Sequence, residues 1–226
     1  MNLEAKKQFI ATFPIFSTLT ADEQIQLERM LQHQVKAKHS YIYKPNMPSD
    51  VIYFLARGTV KIGTQSKSGK EVIKSLLHPM AMFGELGLIG EQNRQDFAQA
   101  LKEDVHVYML RVADFKKLMR HNFELCDAVM SLFGGRLMRA EDKLESLIFK
   151  DARTRIIDFI KDAVNKHGHR VGYEMLLRHS LTHQDIANIT CTSRQTVTLV
   201  LNELRNLDLI YFNRGKILVR DMTKLV

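Results

Sequence analysis

The side chains best suited to contact nucleotide bases stand together in the segment SRQTVTL, residues 193–199. Arginine can donate two hydrogen bonds to guanine O6 and N7, and glutamine can pair with adenine N6 and N7. Four apolar residues at helical spacing predict the opposite, buried side of the same segment: Val197, Val200, Leu201 and Leu204. The pattern therefore predicts a short helix with a polar face that can contact another molecule.

A second, shorter helix is predicted just before this one. Thr182 is followed three residues later by Asp185, a spacing that resembles a capping box at a helix start. A tight turn over residues 190–192 leads to Ser193, the predicted N-cap of the next helix. Two such helices form a helix-turn-helix, whose second helix enters the DNA major groove with its N-terminal end. Any consecutive amphipathic helices share this pattern, but a pair that only packs does not need an outward Arg-Gln-Thr start.

We expect two kinds of DNA contact from this motif. Arg194 and Gln195 are the predicted base readers, because their side chains match the hydrogen-bonding edges of purines. The Thr196 hydroxyl and the Lys216 ammonium suit phosphate oxygens, which fix the register without reading sequence. The complete predicted interface consists of Thr182, His183, Ser193, Arg194, Gln195, Thr196, Thr198, Leu199 and Lys216.

The residues around the motif predict a winged helix. A helix over residues 151–168 precedes it, and two short apolar runs joined by residues 213–215 follow it, with Gly215 able to adopt positive φ in a tight turn. Residues 148–226 carry a net charge of +5 and residues 1–147 a net charge of +3, out of a total of +8. The higher positive charge density favours a nucleic-acid partner for the C-terminal end.

A long proline-free helical segment connects the two ends of the chain, from about residue 114 to residue 150. Within it, seven residues recur at alternating spacings of four and three: Cys126, Met130, Phe133, Leu137, Ala140, Leu144 and Leu147. This a/d pattern over three heptads favours a seam with the same helix of a second copy. The alternative is an amphipathic helix that packs with one side on its own domain.

The N-terminal part shows a different periodicity. Residues 35–110 contain short β-type runs such as DVIYFLARG and DVHVYML, with a hairpin turn at residues 67–70. Many short strands close together favour a small antiparallel roll. The predicted fold class is α+β, with an N-terminal antiparallel β-roll, a long dimerisation helix and a C-terminal winged helix-turn-helix. The predicted domain boundaries are 1–124, 125–149 and 150–226.

These stretches resemble the Crp/Fnr family of transcription regulators over nearly the whole chain. The resemblance rests on FPIFSTLTADE, DVIYFLARGTVKI, SGKE, FGELGLIGE and LTHQDIANITCTSRQTVTLVLNELRNLDLI. It implies a roll of the cyclic-nucleotide-binding type, that is, a double-stranded β-helix. It also implies a bacterial homodimer that binds a palindromic promoter site and contacts RNA polymerase. It also places Arg194, Gln195 and Leu199 at the three base-reading positions. The last two differ from the catabolite-activator pattern, so we expect a different half-site.

The resemblance further implies an effector pocket inside the roll. The segment at 84–86 keeps the Gly-Glu-Leu that family members use for ribose. Counted from Gly84 without a gap, the phosphate-binding pair falls on residues 95–96 and the adenine-facing pair on residues 140–141. A carboxylate repels a phosphodiester, so we expect an effector other than cyclic AMP, unless Arg94 takes the phosphate role through a shifted loop. The predicted pocket comprises Gly84, Glu85, Leu86, Arg94, Gln95, Asp96, Ala140 and Glu141.

Other chemistries find little support in the sequence. The two cysteines are too few for a disulfide framework or a thiolate zinc site, and His179 and His183 lack a third ligand at convincing spacing. No apolar run is long enough to span a membrane, so we expect a cytoplasmic protein without membrane contact. We find no catalytic arrangement and expect neither an enzyme nor a cofactor. The alternative to DNA binding is a ligand sensor whose C-terminal domain contacts protein.

Overall fold

The computed structural model describes residues 3–225, which form two compact units. One unit holds the residues up to 69 and residues 74–138, and the other holds residues 70–73 and the residues from 139 onward. The helices are α1 (Leu3–Thr12), α2 (Ala21–Met30), α3 (Val112–His121), α4 (Phe123–Phe149), α5 (Ala152–His167), α6 (His183–Thr190) and α7 (Arg194–Asn206). The strands are β1 (Gln32–Lys36), β2 (Tyr41–Tyr43), β3 (Val51–Arg57), β4 (Val60–Gln65), β5 (Glu71–Leu77), β6 (Met82–Phe83), β7 (Phe97–Ala100), β8 (Val105–Arg111), β9 (His169–Val171), β10 (Glu174–Arg178), β11 (Ile210–Asn213) and β12 (Lys216–Val219).

Two four-stranded antiparallel sheets form the β-roll, in the strand orders β1-β8-β3-β6 and β2-β7-β4-β5. Both sheets contribute to one apolar core, with Leu55 and Val107 from the first sheet and Val60 and Ala98 from the second. All four of these side chains are fully buried. Because both sheets bury apolar side chains in a shared core, the strands read as short apolar runs in the sequence, and the predicted roll is confirmed.

A second apolar core joins the first sheet to the helices on its other face. The ring of Phe54 from β3 lies 5.3 Å from the ring of Phe13 and 4.8 Å from that of Phe16, both in the segment between α1 and α2. Leu125 and Val129 from α4 are buried in the same cluster. Each fully buried side chain of this size stabilises the fold by roughly 1.5–3 kcal/mol, so this core fixes the first part of α4 on the roll.

The later part of the second unit is a winged helix. Strands β11, β12, β10 and β9 form one antiparallel sheet in that order, and α5, α6 and α7 pack with it around a common core. The turn between β11 and β12 contains Gly215 at φ +77°, as the hairpin prediction requires. The sequence predicted only this terminal hairpin, whereas a second one, β9–β10, turns at Gly172 with φ +62°. The predicted winged helix is otherwise confirmed.

Candidate nucleic-acid interface and roll cavity

Helix α6 begins with the capping box that the sequence predicts. The Thr182 hydroxyl accepts a hydrogen bond from the Asp185 backbone N–H at 3.1 Å, and the Thr182 backbone N–H donates to Asp185 Oδ2 at 2.8 Å. Ile186 and Ala187 are buried in the core of the unit. The caps satisfy backbone donors that an eight-residue helix would otherwise leave unpaired, so α6 forms despite its shortness.

The turn after α6 depends on an unusual backbone conformation. Cys191 lies in the left-handed region at φ +53° and ψ +47°, where helices commonly end on glycine. The Arg155 side chain from α5 donates a hydrogen bond to the Thr190 carbonyl at 3.0 Å, and the Thr192 backbone N–H donates to the Ala187 carbonyl at 3.0 Å. These bonds hold the turn, so the direction in which α7 begins is fixed by α5 and α6.

Helix α7 has one buried and one exposed face. Ser193 is its N-cap and accepts a hydrogen bond from the Thr196 backbone N–H at 3.0 Å. On the exposed face, Arg194, Gln195 and Leu199 project into solvent, and the Leu199 side chain is 70% exposed. The buried face carries the four predicted apolar residues: Val197, Val200, Leu201 and Leu204. The core therefore holds the helix so that its polar first turn points outward.

The two threonine hydroxyls of α7 are engaged inside the unit. The Thr196 hydroxyl lies 2.8 Å from the Ser193 hydroxyl. The Thr198 hydroxyl donates to the Arg194 carbonyl at 3.0 Å and lies 3.0 Å from His183 Nδ1. Because a hydroxyl has one proton, this arrangement makes His183 Nδ1 the donor in the second contact. Thr198 thus holds α6 and α7 together.

His183 also connects the motif to the wing. Its ring lies 6.0 Å from the ring of Phe212 on β11. Burial, and next the positive charge of Arg194, lower the pKa of His183 below its ordinary value. Lys216 is exposed at the start of β12, directly after the wing turn. The predicted interface residues therefore all belong to α6, α7, their caps and the wing of one unit.

The roll encloses a small polar cavity. Its volume is about 60 Å³, room for about two water molecules. Five of the eight predicted pocket residues line it. The lining consists of Tyr43, Ile62, Ser75, Leu77, Phe83, Gly84, Glu85, Leu86, Glu91, Arg94, Asp96 and Arg136. A ligand as large as a nucleotide fits only if some of these side chains move.

Arg94, and not Gln95, is the residue that the loop directs into the cavity. The Arg94 side chain is 2% exposed, and its Nη1 donates to the Gly84 carbonyl at 2.7 Å while Nη2 donates to the Val51 carbonyl. Its guanidinium lies 4.5 Å from the ring centre of Tyr43, and its Nε has no hydrogen-bond partner among residues 3–225. Gln95 is exposed and donates to the Asn93 carbonyl at 3.0 Å. Of the predicted phosphate-binding pair, Asp96 therefore lines the cavity and Gln95 does not.

Arg136 is a cavity residue that the sequence did not reveal. Its guanidinium pairs with the Glu85 carboxylate, which is 2% exposed, and donates to the Met82 carbonyl. Arg136 follows Leu125, Val129 and Leu132 at spacings of four, three and four, a second stripe beside the a/d seam. That stripe could have predicted that this side of α4 packs on the roll. Its last residue is an arginine, however, and a charged side chain on a helix is usually expected to face solvent.

The other predicted pocket residues divide between the cavity and the surface. Asp96 pairs with Lys74 at 3.2 Å, and burial first, then the Asp96 charge, raise the pKa of Tyr43 above its ordinary value. Ala140 and Glu141 lie exposed on α4.

Residues 3–225 contain no group of three or more His, Cys, Asp or Glu side chains that could hold a metal ion. In the same range, no helix has the length and hydropathy needed to cross a membrane.

The predicted dimer seam lies largely on the open side of α4. Met130, Leu137 and Leu144 are 56%, 62% and 59% exposed, and Ala140 and Leu147 are exposed as well. The two remaining seam residues are half-buried: Phe133, which packs on the first core, and Cys126, whose thiol donates to the Met119 carbonyl at 3.0 Å. An apolar stripe thus faces solvent, beside the stripe that packs on the roll.

Comparison with known proteins finds matches for both the roll and the winged helix. Residues 33–122 match the cyclic nucleotide-binding domain, and residues 154–226 match the Crp-like helix-turn-helix domain. The chain is 25% identical over 218 residues to a CRP-like cAMP-activated global transcriptional regulator of Mycobacterium tuberculosis, covering 96% of this chain and 97% of that one. It is 27% identical over 179 residues to the global nitrogen regulator of Synechococcus elongatus, covering 79% and 81%.

Solved structures show the same fold. A CooA mutant from Carboxydothermus hydrogenoformans superposes with a TM-score of 0.75 at 23% identity, covering 87% of each chain. FixK2 from Bradyrhizobium japonicum gives a TM-score of 0.75 at 21% identity, covering 86% of this chain and 95% of that one. With its roll, its long helix and its winged helix-turn-helix, the chain belongs to the Crp/Fnr family of transcription regulators.

Proposed function

We propose that this chain acts as a homodimer in the bacterial cytoplasm, where α7 of each copy enters the major groove of a palindromic promoter site and the dimer contacts RNA polymerase. The observation that carries the proposal is the exposed start of α7, where Arg194 and Gln195 project from a helix with a complete apolar core behind it. The domains that divide this work are those predicted from the sequence, 1–124, 125–149 and 150–226.

Base reading is assigned to the first turn of α7. The Arg194 side chain makes no hydrogen bond or ion pair with the residues that the structure describes, so its donors are available for guanine O6 and N7. Gln195 is adjacent and exposed, and its amide can pair with adenine. Each good bidentate pair contributes on the order of 1–3 kcal/mol of discrimination between bases.

Phosphate contacts are assigned to the helix starts and the wing. Thr182 and Ser193 cap α6 and α7, where backbone N–H groups and the helix dipole favour an anion. The Thr196 hydroxyl lies beside the Ser193 cap, and exposed Lys216 supplies a positive charge from the wing. These groups fix the register of α7 on the duplex without reading its sequence.

Dimerisation is assigned to the open stripe of α4. Exposed leucine and methionine side chains at a/d spacing gain burial if the same helix of a second copy lies against them. Association of two copies places two α7 helices on one duplex, and a palindromic site follows from the two-fold symmetry of the pair. We therefore expect specific binding to depend on residues such as Leu137 that never touch DNA.

The effector is proposed to be a molecule other than cyclic AMP. Glu85, Glu91 and Asp96 bring three carboxylates to the cavity lining, and both terminal nitrogens of Arg94 are already bonded to backbone carbonyls. A phosphodiester would have to compete with these carboxylates for Arg94 and Arg136, and the cavity of about 60 Å³ admits it only if side chains move. Calorimetry should show no binding of cyclic AMP at micromolar concentration, and Asp96→Asn should raise whatever affinity is detected. Micromolar binding by the unaltered protein would refute this part of the proposal.

A mobility-shift titration over a range of salt concentrations tests the DNA-binding function. The logarithm of the affinity should fall linearly with the logarithm of the salt concentration, with a slope of about −0.9 for each phosphate neutralised. Lys216→Ala should weaken binding to all sequences and reduce this slope by about one. Absence of binding to any duplex, or an affinity that salt does not change, would contradict the proposal and favour a protein-contacting domain.

A further inference from the structure

We infer that Leu199 recognises the methyl group of a thymine, so that each half-site contains a thymine opposite the second turn of α7. This inference rests on the proposed binding of α7 in the major groove. Leu199 follows Gln195 by four residues, so both side chains lie on the same face of the helix, one turn apart. The leucine therefore enters the groove together with the base-reading turn.

Leu199 has no part in the core of its own unit. Its side chain is 70% exposed, whereas the next residue, Val200, is 5% exposed and packs inside. An exposed leucine in the middle of a polar face gains nothing for folding, because burial of its apolar surface is what would stabilise the chain. A partner that covers it with an apolar group therefore gains free energy that a polar surface at the same position would not supply.

The major groove offers one apolar group among the four base pairs, the C5 methyl of thymine. Leucine can make no hydrogen bond, so cytosine would leave its N4 amino donor unpaired beneath an apolar side chain. Purine edges would likewise lose water from acceptors or donors without compensation. The Thr198 hydroxyl beside it is engaged by Arg194 and His183, and the Thr196 hydroxyl is assigned to a phosphate, so Leu199 is the side chain that decides this position.

The experiment begins with selection of binding sites from random duplexes by the full-length protein. Each thymine in the enriched half-site is then replaced by deoxyuridine, which keeps the base pair and removes only the methyl group. At one position the substitution should lower the affinity about fourfold per half-site, which is the effect of removing one buried methyl group. Substitution in both half-sites should lower the affinity about fifteenfold. Affinity is measured by fluorescence anisotropy at fixed salt.

Variants assign the effect to the side chain. Leu199→Ala should remove the deoxyuridine effect at that one position, while retaining the fold by circular dichroism because the residue is exposed. The control is Leu207→Ala, a leucine that is 58% exposed at the end of α7 and should leave the effect intact. A half-site without a methyl-sensitive thymine, or a sensitivity that persists in Leu199→Ala, would overturn the inference while leaving DNA binding established. If no duplex is enriched, the proposed function fails and the inference fails with it.

Discussion

The guanidinium of Arg94 is enclosed in the roll, whereas that of Arg194 projects from the first turn of α7 into solvent. Arg94 donates to two backbone carbonyls and lies over the Tyr43 ring. Arg194 has no such partner among the residues that the structure describes. Arginine is rarely buried without partners, so the first arrangement costs free energy unless the protein supplies acceptors.

The comparison distinguishes two roles for the same side chain. In the roll, Arg94 and Arg136 are held by carbonyls and by the Glu85 carboxylate, so their loss should be measured as a loss of folding stability. On α7, an exposed arginine contributes little to stability, so its loss should be measured in binding to a partner. Four predictions test the contrast between enclosed and exposed side chains, from the largest expected effect to the smallest.

The largest effect is expected on α4, where the same contrast holds between buried Leu125 and exposed Leu137. Leu137→Asp places a charge in the proposed seam and should convert the dimer to a monomer without unfolding it. The affinity for a palindromic duplex should then fall by about 10²–10⁴, because the second half-site no longer binds intramolecularly. Light scattering gives the mass, and Met138→Asp, one residue outside the a/d pattern, is the matched control. An unchanged mass for Leu137→Asp would refute the seam.

The second effect concerns the enclosed charges of the roll. Arg136→Met leaves the Glu85 carboxylate buried without its partner, and should lower the free energy of unfolding by on the order of 3 kcal/mol. Urea unfolding measures the change. The double variant with Glu85→Gln should recover part of the loss, because the remaining side chain is then uncharged. Equal stability of the single variant and the unaltered protein would show that the pair has no structural role.

The third effect concerns the exposed arginine of α7, in contrast to the enclosed arginine of the roll. Arg194→Ala should leave the urea midpoint unchanged and weaken specific DNA binding by about 1–3 kcal/mol, with relaxed preference at one base pair. Competition with duplexes altered at single positions measures the preference. If the variant discriminates between bases as well as the unaltered protein does, Arg194 is not a base reader.

The smallest effect is expected from pH. Burial lowers the pKa of His183 in the folded chain, so below pH 6.5 the unfolded chain binds more protons and stability falls as the pH falls. Between pH 7 and pH 5, the Tm of the second unit should drop more in the unaltered protein than in His183→Gln, whose amide can donate to Thr198 but does not titrate. His121→Gln, at an exposed position, is the control. If the Tm of His183→Gln depends on pH as that of the unaltered protein does, His183 does not cause the loss of stability at low pH.

Much of the fold and of the interface could be predicted because it depends on short-range patterns. The capping box at Thr182, the N-cap Ser193 and the turn at Gly215 are fixed by residues within four positions of one another. The buried and exposed faces of α7 follow from helical periodicity alone. Two features within reach of such reasoning were missed, the β9–β10 hairpin at Gly172 and the second stripe of α4 that ends at Arg136.

The sequence by itself determined the elements, the capped helix-turn-helix and the polar face of α7, since each is a local property of neighbouring residues. Only the tertiary structure decided which charges are enclosed. That Arg94 rather than Gln95 enters the cavity depends on the loop length between β6 and β7, and that Arg136 reaches Glu85 depends on how α4 packs on the roll. Contacts between residues 51 positions apart are set by the packing of whole elements, which no local pattern encodes.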